Sequence, residues 1–400
     1  MVVIRQDVLF LFGRGTAAAI GLAVTPIAAR YFPSSAWSAL VEALAIVGLA
    51  SAVGAALRPM TVRALADPTR LKLVLAAKFV LSVVAGVTCG VAWGSLKQCS
   101  LLETTLVGTL GLLATIGPDC ELIAVQRCTQ TQFFGRVVAA AVLGAGVVLW
   151  GALSHPIAVM LMLGACLKQL IGVRAALAAV NDGEPWRLRM FCDLGQLVRE
   201  ERSHVGSAGF TALARAVTYY FQTALLLRGG YDELVAGMYI VGRYLEPAAS
   251  IAVSGLTDLT VRHSSTRERG GSLGTTILDQ TLAMRRLAVA GMGAVGLTLI
   301  VGSSLLLATP SLAACSLVIP LVLIAAMRVF VSPNAWIPYV LGRPQIIWKG
   351  EIVRSAAVGC WLVWLATTPP EHAVLWVLAV VESLGYIVFQ FMLRRSMKSR

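Results

Sequence analysis

The chain has 400 residues, of which 58% are hydrophobic and only 13% are charged, whereas a soluble domain typically carries about 25% charged residues. A soluble fold of this length would lack the polar surface needed to stay dispersed, and the mean hydropathy of +0.79 likewise indicates a membrane protein. The net charge of +13 would suggest nucleic-acid binding in a soluble protein, but membrane proteins concentrate Lys and Arg on one side of the bilayer.

Twelve apolar segments are long enough to cross a membrane, which takes roughly 20 mainly apolar residues. The first follows directly on MVVIRQD and is longer than the apolar core of a signal peptide, so we interpret it as an uncleaved helix. The sequence therefore predicts an all-α polytopic membrane protein of about twelve transmembrane helices. The predicted spans are residues 8–30, 37–57, 73–94, 101–125, 133–153, 156–180, 205–228, 233–258, 284–308, 312–338, 350–368 and 373–393.

The basic residues outside the spans fall on alternate loops, as the bias of Lys and Arg toward cytoplasmic loops requires. With the N-terminus inside, 23 of them lie on inner segments and 3 on outer segments. We therefore predict that both termini are cytoplasmic. The excess of Lys and Arg is therefore explained by the membrane topology, and we predict no nucleic-acid partner.

The longest inner segment divides the chain into two halves of six spans. We predict an N-terminal lobe over 1–180, a cytoplasmic connector over 181–204 and a C-terminal lobe over 205–400. Apolar residues recur at helical spacing in the connector beside several arginines, which fits an amphipathic helix on the inner leaflet, although a solvated connector fits as well. At an offset of 198, Arg30 falls on Arg228, which suggests a parallel repeat of the two lobes about an axis along the membrane normal.

Seven basic residues lie inside predicted spans, where a central charge costs roughly 2.5–3.5 kcal/mol and usually faces protein or a wet cavity. Lys78 and Arg354 lie near the inner end of their spans, so we expect their side chains to extend to the membrane interface. The other five, with Arg30 at an outer helix end, are candidate substrate-binding residues: Arg14, Arg30, Lys168, Arg215, Arg243 and Arg328.

An Asp or Glu close to a cation in the sequence would explain that cation as one half of an ion pair. Arg243 has Glu246 three residues on, so a local pair stays open for it. Arg215 and Arg328 have no acid within four residues, which favours a cavity role, with a structural pair to Asp119 or Glu382 on another helix as the competing account.

The acids inside the predicted spans are fewer: Glu42, Asp119, Glu121, Glu246, Asp258 and Glu382. Asp119 and Glu121 follow Pro118, and they would either relay protons or neutralise Lys168 or Arg328. Glu382 stands alone in the last span and is the better candidate for ion coupling. A membrane interior with more cations than anions suits an anionic substrate, because Arg binds phosphate oxygens with two hydrogen bonds.

The sequence shows no catalytic or metal-binding pattern. The eight cysteines include no CxxC pair and no Cys/His cluster, so we predict no metal and no cofactor. The four histidines fall at predicted loops or helix ends. We therefore predict a transporter and not an enzyme.

Several short motifs are similar to those of bacterial polysaccharide flippases of the Wzx type, in the superfamily of MATE-like multidrug, oligosaccharidyl-lipid and polysaccharide exporters. The N-terminal part has Gly13–Thr16, then Ala29–Pro33 after an apolar helix, and Arg58-Pro59 after the next. The stretch Ala236–Arg243 resembles the family's eighth helix, and Leu341–Arg343 resembles a conserved turn. Residues 34–37 (Ser-Ser-Ala-Trp) depart from the family's pattern.

This resemblance implies a flippase in the inner membrane of a bacterium that moves an undecaprenyl-diphosphate-linked oligosaccharide between leaflets by alternating access. Its substrate would lie in a cationic cavity between two six-helix lobes, lined by the first, seventh and eighth helices with Arg14, Arg30, Arg215 and Arg243. The implied partners are the lipid-linked glycan, membrane lipids, and the polysaccharide polymerase and export machinery.

Two other classes are compatible with parts of the sequence. A major-facilitator transporter of a small anionic solute also has two lobes of six helices, and residues 63–70 partly match the loop that marks that family but lack its glycines. A membrane-embedded polysaccharide polymerase usually has a large outer loop, and an acyltransferase needs a histidine within the membrane; neither feature is present in the predicted topology.

Overall fold

The computed structural model describes residues 2–57, 60–61, 68–97, 99–127, 130–180, 195, 199, 202–266, 273–307, 311–332, 345–367 and 369–398, and regular structure in these ranges is entirely helical. The predicted connector at 181–204 lies almost wholly outside them. The helices are α1 (Val2–Tyr31), α2 (Ser34–Ala56), α3 (Pro68–Lys97), α4 (Leu101–Arg127), α5 (Gln130–Ser154), α6 (Ala158–Val180), α7 (Arg202–Arg228), α8 (Asp232–Thr266), α9 (Leu273–Val301), α10 (Ser303–Leu306), α11 (Ser311–Val331), α12 (Gln345–Leu365) and α13 (Glu371–Lys398).

Each predicted span coincides with one of the long helices, which confirms the all-α architecture, and α10 is a single short turn between two of them. By length and composition alone, five helical segments within the described residues are apolar enough to cross a membrane: Ser34–Ala56, Leu71–Lys97, Phe134–Ser154, Ala314–Val331 and Ala373–Arg395. The more polar helices α7 and α8 are not among these five.

The chain divides into two compact units, Met1–Thr223 and Ala224–Arg400, and the division falls inside α7. In the first unit α2 packs on α3 and α4, α3 packs on α4, and α6 packs on α4 and α5. In the second unit α8 packs on α9 and α11, α9 packs on α11, and α13 packs on α11 and α12. These are the same five pairs displaced by one six-helix repeat, so the internal repeat suggested by the sequence is present in the packing of the helices.

The contact between α3 and α4 depends on glycines at a spacing of four residues. Gly86, Gly90 and Gly94 share one face of α3, and a Cβ added at Gly86 would lie 2.8 Å from the carbonyl oxygen of Gly108 on α4. A Cβ at Gly108 would in turn lie 3.0 Å from the carbonyl oxygen of Gly86. Small residues allow this close approach of backbones, which supplies much of the packing energy between helices in a membrane.

Several threonine hydroxyl groups inside the helices are satisfied locally. Thr88, Thr109 and Thr115 each donate from Oγ1 to the carbonyl oxygen four residues earlier at 2.8 Å, and Thr218 does so at 2.7 Å. Such bonds remove the cost of placing a polar group where water is absent. They explain how helices with many Thr and Ser residues remain compatible with the membrane.

A tight turn joins α7 to α8. Gly230 has a φ of +80°, which a residue with a Cβ adopts only with strain. The amide groups of Gly230 and Tyr231 bond back to the carbonyls of Leu227 and Leu226, and these bonds end α7. The Tyr231 hydroxyl then donates to the Pro369 carbonyl at 2.6 Å, which fixes this turn against the segment before α13.

Candidate functional site

One arginine and two carboxylates are paired between α12 and α13. Nε of Arg354 donates to Oε2 of Glu382, and Nη2 donates to Oε1 of the same carboxylate, both at 2.6 Å. Nη1 donates at 2.6 Å to Glu351, three residues earlier on α12. The side chains of Glu351 and Glu382 are 3% and 8% exposed, so one guanidinium bridges two buried carboxylates.

The close approach of α13 to α12 makes this geometry possible. Gly385 lies against Arg354, and a Cβ added there would be 3.0 Å from Cγ and 3.3 Å from Cα of that residue. Gly385 is three residues after Glu382 and therefore shares its helix face. The ring centroid of Tyr386 lies 6.0 Å from Cζ of Arg354, at the outer limit of a cation–π contact.

This cluster differs from the sequence-based expectation in two respects. The expectation that Arg354 extends to the membrane interface is wrong, because two acids hold its guanidinium inside the helix pair. Glu382 does not stand alone, since Arg354 on the neighbouring helix binds it, but its role in ion coupling stays a prediction. Glu351 was missed, although its spacing of three residues from Arg354 on one helix is a typical ion-pair signal.

A second ion pair connects α8 and α11. Nη1 of Arg328 donates to Oε1 of Glu246, and the two side chains are 41% and 59% exposed. Glu246 therefore pairs across helices and not with Arg243 on its own helix, and Arg328 has an acid partner that its sequence neighbourhood does not contain. Its assignment to a substrate cavity stays a prediction.

Arg215 occupies the middle of α7. It lies thirteen residues from both Arg202 and Arg228, the two ends of the helix, which corresponds to about 20 Å at the rise of an α-helix. Its side chain is exposed on the surface of the chain. An arginine so far from either helix end is too short to extend to a membrane interface, and its assignment to substrate binding stays a prediction.

The remaining candidate cations have varied surroundings. Cζ of Arg243 lies 5.9 Å from the ring centroid of Tyr239, one turn earlier on α8. Arg30 is exposed in the last turn of α1.

Two lysines of α3 were not candidates for substrate binding. Lys78 is fully buried, so the expectation that it extends to the interface is wrong as well. Near the other end of α3, Lys97 pairs with Glu42 at 2.6 Å.

The side chains of five other predicted charges lie outside the described residues, although their backbones belong to helices. They are Arg14, Asp119, Glu121, Lys168 and Asp258. Their assignment to substrate binding, ion coupling or neutralisation stays a prediction. Within the described residues, no group of three or more His, Cys, Asp or Glu side chains is placed to hold a metal ion.

No protein-family model matches the chain, and no curated protein matches it at significant similarity. Solved structures do match. An inward-facing multidrug resistance MATE family transporter of the MOP superfamily has a TM-score of 0.65 at 14% identity, covering 97% of this chain and 95% of that chain. A MATE structure in complex with MaL6 has a TM-score of 0.63 at 14% identity, covering 99% and 96%.

A third match is a MOP superfamily transporter from Pyrococcus furiosus, with a TM-score of 0.56 at 13% identity over 99% of this chain and 95% of that chain. It is described as having a binding pocket of reversed polarity, which suggests a different function. Identities this low establish the fold alone. The chain has the fold of the solved MATE transporters of the MOP superfamily.

Proposed function

We propose that this protein translocates an anionic, lipid-linked oligosaccharide across the membrane by alternating access. The observation that carries the proposal is Arg215, an exposed arginine at the midpoint of α7. A charge at that depth is costly next to lipid. It becomes favourable when it lines an aqueous path and binds an anion during transport.

The chemistry of the side chains supports a phosphate-bearing substrate. Arginine keeps its charge at any physiological pH and presents paired donors that match two phosphate oxygens. Arg243 adds a second partly exposed guanidinium on α8, the helix that follows Arg215 in the chain. A transporter of cationic drugs would be hindered by these charges, because like charges destabilise the bound state.

The Pyrococcus furiosus transporter of this fold is described as having a binding pocket of reversed polarity. A cationic transport path in the present chain is therefore compatible with the fold. The resemblance of Ala236–Arg243 to a helix of polysaccharide flippases supports the choice of a lipid-linked glycan over a small anionic solute.

We also propose that Glu382 links transport to an ion gradient. Protonation of this carboxylate would remove its charge and weaken both hydrogen bonds to Arg354. The contact between α12 and α13 would then have two states of different stability. A gradient of protons can bias such a pair of states and so drive alternating access.

A flipping assay in proteoliposomes tests the substrate. A lipid-diphosphate oligosaccharide carrying a fluorescent nitrobenzoxadiazole group is placed in the vesicles, and dithionite is added to quench the label on the outer leaflet. The wild-type chain should raise the quenched fraction above one half, whereas Arg215→Ala should reduce the flipping rate at least tenfold. Arg215→Lys should recover only part of the rate, because it keeps the charge and loses the paired donors.

Arg228→Ala is the matched control, since Arg228 is also exposed on α7 but lies in its last turn. It should flip at nearly the wild-type rate. Wild-type flipping by a stably folded Arg215→Ala, Arg328→Ala double variant would rule out the cationic path. Equal flipping of a labelled phosphatidylcholine by the wild-type chain would rule out the anionic substrate.

A further inference from the structure

A buried arginine in the second unit has hydrogen-bond capacity that the described part of the chain does not use. Arg285 on α9 is 1% exposed. Its Nη1 donates to the carbonyl oxygen of Phe330 on α11 at 3.5 Å. Its Nε and Nη2 are buried and have no hydrogen-bond partner within the described residues. A buried charged donor without an acceptor is costly, so such a group calls for a specific explanation.

The two unused nitrogens form one functional edge. Nε and Nη2 point in parallel from one side of the planar guanidinium, and this edge matches two oxygens of a carboxylate or phosphate. Arg354 in the same unit uses that edge for both oxygens of Glu382 at 2.6 Å. Arg285 thus presents an edge that this chain elsewhere fills with an anion.

Within the described residues, no carboxylate bonds to Nε or Nη2 of Arg285, and the side chains of Asp258 on α8 and Asp279 on α9 lie outside those residues. Residues 332–344, which follow α11, contain no Asp or Glu, and neither do residues 383–400 at the end of α13. Glu246, Glu351 and Glu382 are already paired with arginines. Arg394 is an exposed cation on α13, and α13 packs on α11 and contacts α9.

The positions of Arg285, Phe330 and Arg394 along their helices indicate the source of an anion. Phe330 lies in the last turn of α11, and Arg394 lies about one turn from the end of α13. In the predicted topology, these ends and the start of the span at 284–308 lie on the side of the membrane that carries the chain's C-terminus. Lipid phosphates are located at this depth, and Lys and Arg side chains near membrane surfaces attract anionic lipids.

We propose that Arg285, together with Arg394, forms a binding site for a phosphate group, supplied by the headgroup of an anionic lipid or by free phosphate. The phosphate oxygens would accept hydrogen bonds from Nε and Nη2 of Arg285 and would neutralise the repulsion between the two arginines. This site is separate from Arg215, which belongs to the first unit, and does not depend on the proposed substrate.

Thermal unfolding of the purified full chain in a neutral detergent tests the site. Added phosphatidylglycerol should raise the unfolding midpoint of the wild-type chain more than added phosphatidylcholine does, and native mass spectrometry should show one retained phosphatidylglycerol. Inorganic phosphate without lipid is the second arm. A response to phosphatidylglycerol alone identifies a lipid headgroup, and a response to both probes identifies a site for phosphate in general.

Arg285→Gln should abolish the rise in midpoint, and Arg285→Lys should keep only part of it. Arg286→Gln is the matched control, because it removes the same charge from the exposed neighbouring residue, and it should respond like the wild type. Equal responses of Arg285→Gln and Arg286→Gln would overturn the proposal, as would a wild-type chain that responds to neither probe. If Arg285→Gln does not fold, Arg394→Gln decides: a reduced rise supports the site, and an undiminished rise contradicts it.

Discussion

Arg354 on α12 holds both carboxylate oxygens of Glu382 on α13 through two hydrogen bonds of 2.6 Å. A third bond joins the same guanidinium to Glu351. Since the two acids share one cation, removing Arg354 has a different consequence from removing either acid. The arrangement therefore predicts an order of stability among three variants.

Arg354→Leu should be the most destabilising change, because it leaves two buried carboxylates without their cation, and breaking a buried pair costs about 3–5 kcal/mol. Glu382→Gln should cost less, since Arg354 keeps Glu351, and Glu351→Gln should cost least because the paired hydrogen bonds to Glu382 remain. The midpoints of thermal unfolding in detergent would show this order. A milder effect of Arg354→Leu than of Glu382→Gln would contradict it.

The ion pair of Glu246 with Arg328 should behave differently, because both side chains are more than one third exposed. Exposed pairs contribute about 0–1 kcal/mol. We expect Glu246→Gln to leave the unfolding midpoint almost unchanged under the conditions that reveal the loss in Glu382→Gln. A comparable loss in the two variants would show that Glu246 is shielded from water in the membrane.

If Glu382 couples transport to protons, Glu382→Gln should remove the dependence of flipping on a pH gradient. The variant side chain is neutral at every pH, so the contact between α12 and α13 no longer responds to protons. Flipping rates with and without an imposed pH gradient measure this in proteoliposomes. Glu351→Gln serves as the comparison, and a gradient response that survives in Glu382→Gln would exclude this carboxylate as the coupling residue.

The crossing of α3 and α4 should not tolerate a single added methyl group. A Cβ at Gly86 would lie 2.8 Å from the Gly108 carbonyl oxygen and 3.1 Å from Cβ of Leu112, so the two backbones would have to separate. We expect Gly86→Ala to destabilise the protein by about 1–3 kcal/mol. Gly146→Ala is the control, since nothing lies within 4 Å of its added Cβ, and it should be neutral or stabilising.

Gly385→Ala should disturb the ion pair of Arg354 with Glu382, although it changes neither of these residues. Its new Cβ would lie 3.0–3.3 Å from the stem of Arg354, which would move the guanidinium away from Glu382. We expect the variant to share part of the stability loss of Glu382→Gln. Gly359→Ala on α12 has open space around its added Cβ and should unfold at the wild-type midpoint or above.

The membrane orientation is testable by reporter fusions. The distribution of basic residues places positions 154 and 310 outside and positions 182 and 269 inside. Alkaline phosphatase should therefore be active when fused after Ser154 or Pro310, and green fluorescent protein should be fluorescent after Asp182 or Arg269. Opposite results at two or more of these positions would overturn the orientation.

The sequence by itself determined the class of protein and the positions of its helices. Twelve runs of about 20 apolar residues leave few alternatives, because a chain in lipid must satisfy its backbone hydrogen bonds within each segment. The same logic predicted two lobes on either side of residues 181–204, whereas the two compact units of the structure divide inside α7. These are local properties, and an apolar run is visible without knowledge of its neighbours.

Only the tertiary structure decided which charges are paired. Arg328 and Glu246 are 82 residues apart, and Arg354 and Glu382 are 28 apart. Their pairing depends on which helices pack together and on how closely glycines such as Gly385 allow them to approach. The sequence showed the excess of cations, but the electrostatic partner of each cation is fixed by helix rotation and depth. Those quantities arise from side-chain packing between helices, which hydropathy does not encode.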